Sequence, residues 1–153
     1  MNKTREPKRI YQGTKLLVDI IFTAEIVVTL LMPFSIPWLN RHYSHLQGMD
    51  LPMILLYMLV GLVCMAATWT LKGILRTVVA GNCFVQENVT GLQRISICFL
   101  CLVILLVLRA VLYLTMAILI DIFLFFIAFV FCRVVALVFQ EAVRHKEEND
   151  LTI

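Results

Sequence analysis

The chain predicts an all-α fold, a polytopic four-helix transmembrane bundle with both termini cytoplasmic. Three observations predict it. Of 153 residues, 61% are hydrophobic and 15% charged, with a net charge of +3, which lies outside the range of soluble globular domains. The apolar residues fall in runs long enough for about four crossings of roughly 20 residues each, leaving little chain for a separate soluble domain. The basic residues are also asymmetric. Of 13 Lys and Arg, a four-crossing layout puts only Arg41 and Arg109 toward the outside. Lys3, Arg5, Lys8, Arg9, Lys15, Lys72, Arg76, Arg94, Arg133, Arg144 and Lys146 fall on or toward the side of the termini, and a positive-inside bias of this size makes that side cytoplasmic.

The first helix is expected over 16–38, ending at the Pro33 and Pro37 breaks, with Trp38 and Tyr43 in an interfacial aromatic belt. The basic segment before it resembles a signal peptide, but the apolar run is too long and lacks a small-residue cleavage site, so it reads as a retained helix. The second helix is expected over 53–80, opening after Pro52 at a favoured first-turn position and closing at Gly81-Asn82. Ile95 to Cys132 is almost wholly apolar. As one helix it would be about 57 Å long, nearly twice the hydrocarbon thickness. Two helices, 84–113 and 117–146, joined by a tight turn near Tyr113–Ala117, fit better, although no Gly or Pro marks the turn.

Asp19, Glu25, Arg109, Asp121 and Arg133 interrupt these runs. A charge at mid-membrane costs at least ~2.5–3.5 kcal/mol on insertion scales, so such residues should face the interior and pair. Depths counted along the helices suggest an Arg109–Asp121 pair closing the last hairpin, a Glu25–Arg133 bridge, and Asp19 within reach of Lys72 or Arg76. The plainer reading is a set of ion pairs fixing helix order and register. The functional reading is an ion or proton path, or a polar pocket between helices.

Four of the five cysteines lie in apolar runs and read as small buried hydrophobes. Cys98 and Cys101 have CxxC spacing without a redox context. His42 and His45 sit in an outer loop that reads as solvated. No motif for catalysis, a metal or a cofactor is present, so no enzyme activity and no direct nucleic-acid binding are expected.

The most distinctive polar stretches are the loop 81–94 and the tail 147–153, both on the side of the termini. Val85, Val89, Leu92 and Ser96 share one helical face, so the loop reads as an amphipathic extension of the third helix. Asn82 would be its N-cap, Glu87 would favour the helix dipole and Phe84 would anchor at the interface. Arg144 can pair with Glu147 or Glu148. Asp150-Leu151-Thr152-Ile153 prefers extended structure and ends in a free carboxylate, a format suited to docking in a groove or on a sheet edge.

The pattern Gly81-Asn82-x-Phe84-x-x-Glu87-Asn88-x-x-x-Leu92-x-x-Ile95, with the terminal Glu148-Asn149-Asp150-Leu151-Thr152-Ile153, resembles the uncharacterised bacterial membrane family catalogued as domain of unknown function 2975. The departures are Cys83, where members often carry Pro, and Val85, where a Ser or Thr cap is common. The resemblance implies four helices, a bacterial inner-membrane location and gene neighbourhood with a small helix-turn-helix regulator. It brings no enzymatic activity or cofactor.

The expectation is therefore a membrane protein that binds and regulates such a cytoplasmic partner. Asn82, Phe84, Glu87, Asn88, Asn149, Asp150, Leu151, Thr152 and Ile153 are the candidate docking residues. The alternative is a small transporter, exporter subunit or immunity-type protein that uses Asp19, Glu25, Arg109, Asp121 and Arg133. A third option is a homo-oligomeric scaffold, with Gly61, Cys64 and Ala67 giving a small-residue face for close helix contact.

Overall fold

A computed structural model describes residues 6–42, 50–81, 83–112 and 114–150. Four helices follow in chain order: α1 (Glu6–His42), α2 (Asp50–Val79), α3 (Gln86–Leu112) and α4 (Met116–Asp150). All four contain stretches long and apolar enough to cross a membrane, and the chain is a multi-pass membrane protein. Of the residues expected in the loop after α1, His42 is the last residue of the helix, and Tyr43 and His45 lie outside the described residues.

α1 runs straight through the expected break. It begins ten residues before Leu16 and continues past Pro33 and Pro37 to His42. Each proline removes one backbone donor, but neighbouring polar groups and water can satisfy the freed carbonyls in a membrane helix. A proline near the end of a span is therefore a weaker stop signal than in a soluble protein. α2 ends as anticipated. Gly81 adopts a φ of 83°, the left-handed conformation that closes a helix and costs glycine least. Its N–H reaches the Val78 carbonyl at 3.2 Å.

The turn between α3 and α4 falls within the expected window. α3 stops at Leu112 and α4 starts at Met116. Thr115 takes the place of a Gly or Pro signal: its side-chain oxygen accepts from the Ile118 N–H at 3.4 Å, an N-cap contact.

Packing follows chain order. α1 lies against α2, α2 against α3, and α3 most extensively against α4, and other pairs make only marginal contact. The bundle is thus an open row. On α4 the less exposed residues Ile118, Ile122, Phe125, Phe129, Cys132, Ala136, Phe139 and Val143 alternate at steps of four and three. That is the seam of a helix packed against one neighbour at a shallow angle. The other faces carry exposed Leu, Ile, Val and Phe, which in this setting are lipid-facing.

Glycine sets the helix spacing at two points. A Cβ on Gly61 would lie 2.2 Å from Thr29 Oγ1, and one on Gly91 would lie 2.9 Å from Ile74 Cγ1. Gly61, one of the three small residues expected to serve contact between copies, therefore packs on α1 within the same chain.

Candidate functional site

At the end where α1 begins and α4 finishes, residues 83–96 fold back onto α2. α3 begins at Gln86, four residues after the expected cap Asn82, which lies outside the described residues. The Asn88 N–H donates to the Val85 carbonyl at 3.0 Å, so Val85 holds the cap position. Asn88 lies in the first turn with 0% exposure. Its Nδ2 donates to the Cys83 carbonyl at 2.8 Å, and its Oδ1 accepts from the Thr77 hydroxyl of α2. The cap is thus inverted: a side chain inside the helix reaches back to fix the loop and the preceding helix. Asn88, a candidate docking residue by sequence, is buried and acts as a structural fastener.

Phe84 is 46% exposed, and its ring packs on Phe139 of α4 with centroids 5.5 Å apart. Glu87 lies in the first turn of α3, as expected for the dipole, and is exposed. Of the face assigned to α3, Val89 and Ser96 are fully buried. Gly91 and Ile95 join them, a contribution that spacing from Val85 did not reveal.

Beyond Phe139, α4 continues for eleven more residues to Asp150, about 16 Å of helix. Asp150 is thus helical and not the start of an extended tail. Leu151, Thr152 and Ile153 lie outside the described residues, as do the side chains of Asn149 and Asp150. Arg144 bonds Glu141 at 2.5 Å and approaches Glu148 at 3.7 Å, so its expected carboxylate cluster extends one turn earlier. An open groove of about 480 Å³ lies between this extension and the start of α3, lined by Gln86, Gln140, Glu141, Val143, Arg144 and Glu147 among others.

The intramembrane charges are arranged differently from the expected pairs. Asp19 does meet Lys72, at 2.6 Å. Arg109 donates through Nε to the Tyr57 hydroxyl at 2.9 Å and does not form an ion pair with Asp121, which is exposed. Glu25 accepts from the Thr68 hydroxyl at 2.8 Å and does not meet Arg133, which is also exposed.

Helix register explains both corrections. Phe99 meets Phe125 with centroids 6.0 Å apart, so Arg109, ten residues on, is level with Thr115, ten residues back. Asp121 is six residues deeper, about 9 Å. Likewise Thr77 bonds Asn88, so Thr68 is level with Ile97. Ile97 in turn is level with Ile127, six residues from Arg133. α1 and α4 also lie at opposite ends of the row. One oxygen of Glu25, Oε2, is buried and makes no hydrogen bond.

No metal-ligating cluster occurs among the described residues, and the five cysteines are free thiols. Four long apolar helices in an open row, fastened at one end by Asn88, define a small multi-pass α-helical membrane protein. The chain belongs to the family described as "Protein of unknown function (DUF2975)", whose pattern matches residues 36–153. Most of α1 precedes the matched region. No curated protein and no solved structure matches the chain.

Proposed function

We propose that this protein sits in the bacterial cytoplasmic membrane with both termini inside, and that it binds and regulates a cytoplasmic protein partner. The orientation rests on the basic-residue asymmetry. The observation that carries the docking reading is the eleven-residue extension of α4 beyond the Phe84–Phe139 pair. Its last seam residue is Val143, beyond which the helix is polar and mostly charged, and it flanks an open polar groove. A helix this polar gains nothing from lipid, and its groove offers hydrogen-bonding groups to a partner. The partner that the family resemblance implies is a small helix-turn-helix regulator held against the inner leaflet. Control requires that the partner bind two states of the bundle with different affinity.

Co-purification of the regulator from membranes tests the reading. Gln86→Ala/Gln140→Ala, or removal of 149–153, should reduce recovered regulator by about tenfold or more, equivalent to one or two lost interface contacts. Equal recovery from wild type and both variants would overturn it. Asn88 substitutions are unsuitable here, because they act on the fold.

A second reading, transport by intramembrane charges, is favoured by one observation. Neither Glu25 nor Asp121 has a basic partner among the described residues. For structural carboxylates, Glu25→Gln and Asp121→Asn should leave activity and membrane abundance unchanged, since each amide keeps the shape without the charge. Loss of activity at normal abundance in either variant would establish the transport reading.

A further inference from the structure

The cleft between α1 and α2 at the end of the termini has a composition unlike the other cavities. It holds about 360 Å³ and is lined by Lys15, Val18, Asp19, Lys72, Leu75 and Arg76. Asp19 and Lys72 pair across it, and the Lys72 ammonium also lies 4.7 Å from the centre of the Phe22 ring. Lys72 is therefore held in place and largely neutralised. Lys15 and Arg76 have no ion-pair partner among the described residues, so two cations face one small cleft.

Depth identifies what meets them. The Phe22 ring contacts Trp69 with centroids 6.0 Å apart, and Trp69 is largely exposed, as interfacial tryptophans are. Lys15 and Arg76 lie about two turns closer to the end of the helices, at the level of lipid headgroups. Basic pockets between helices at this level are suited to anionic headgroups.

A shallow surface groove, lined by α1 alone, runs along that helix from the same carboxylate. It holds about 520 Å³ and is lined by Asp19, Ile20, Thr23, Ala24, Val27 and Val28. From Asp19 to Val28 is nine residues, about 13 Å of helix, close to the thickness of one leaflet of hydrocarbon. A basic cleft thus continues into an apolar groove of acyl-chain length, with Asp19 in the wall of both.

The geometry points to a binding site for an anionic glycerophospholipid, its phosphate between Lys15 and Arg76 and one acyl chain along Ile20, Ala24 and Val27. The site is independent of the α4 extension and of any cytoplasmic partner. Asp19 keeps Lys72 from adding a third free charge and presents the cleft with an acceptor for headgroup hydroxyls, as on phosphatidylglycerol.

Native mass spectrometry of the full-length protein in neutral detergent tests this, with phosphatidylglycerol, phosphatidylcholine and inorganic phosphate offered separately. Phosphatidylglycerol should bind saturably and in preference to phosphatidylcholine, and inorganic phosphate should give no stable adduct. Lys15→Gln/Arg76→Gln should weaken phosphatidylglycerol binding by about thirtyfold, as expected for two basic contacts near a membrane surface. Arg133→Gln/Lys146→Gln removes the same charge elsewhere and should leave binding intact. Ala24→Phe, which fills the groove, should weaken it while the basic cleft remains. Equal binding of the two lipids, or equal losses in both double variants, would show nonspecific attraction and overturn the site. Retention of inorganic phosphate as tightly as of the lipid would reduce it to a phosphate site and overturn the lipid assignment.

Discussion

Asn88→Ala should destabilise the protein by about 3 kcal/mol, more than any substitution of an exposed charge. Asn88 is fully buried, and its amide joins the Cys83 carbonyl to the Thr77 hydroxyl. Truncation removes both bonds, strands the Cys83 carbonyl beneath the loop, leaves the Thr77 hydroxyl with the Ile74 carbonyl, and opens a cavity. The stranded carbonyl costs roughly 1–3 kcal/mol, and the cavity adds to that. The first turn of α3 should fray, so limited proteolysis near 81–86 should accelerate together with a fall in melting temperature. Thr77→Val removes one of the two bonds and should cost about half as much. If Asn88→Ala melted like wild type, the inverted cap would not hold the loop.

Gly61→Ala should be the second severe substitution. A Cβ there would lie 2.2 Å from Thr29 Oγ1 and 2.8 Å from Thr29 Cγ2. Thr29 cannot swing away freely, because its hydroxyl donates to the Glu25 carbonyl at 2.7 Å and a β-branched side chain in a helix has few rotamers. α1 and α2 must separate, and overpacking of this kind costs typically 1–3 kcal/mol. Pairing Gly61→Ala with Thr29→Ala removes the hydroxyl and methyl that clash. The double variant should recover most of the lost melting temperature, read by fluorescence-detected size exclusion. If the double variant melted no higher than Gly61→Ala alone, close approach at this point would not set the α1–α2 packing.

The two substitutions differ in how far the sequence announces them. Gly61 stands out as a small residue in an apolar helix, but spacing does not say which helix it meets. The structure assigns that contact to α1 of the same chain, so Gly61 sets spacing within the chain. Asn88 lies within the family-like motif and was expected on the surface. Its burial depends on how the loop 81–85 folds back on α2, and that path follows from contacts between residues distant in sequence.

The charges show the same division. The Asp19–Lys72 pair could be anticipated because one short loop separates α1 from α2 and both residues lie near the same end. The Arg109–Asp121 and Glu25–Arg133 pairs required a symmetric last hairpin and a closed ring of helices. Aromatic packing between α3 and α4 shifts the hairpin register by about six residues, and the open row separates α1 from α4. Sequence counting fixes position along a helix, whereas side-chain packing fixes which neighbouring residue is level with it.

By itself, the sequence determined the number of helices, the approximate limits of α2, α3 and α4, the Gly81 stop and the clustering of basic residues at one end. These follow from hydrophobic run length and backbone chemistry, which are local properties. Tertiary structure alone decided that α1 passes through its prolines, that Asn88 is a buried fastener, that Gly61 serves α1, and that Glu25 and Asp121, unlike Asp19, lack their expected basic partners. Each of those outcomes is set by helix register and close packing, where a shift of a few ångströms changes the neighbour without changing the hydrophobic pattern.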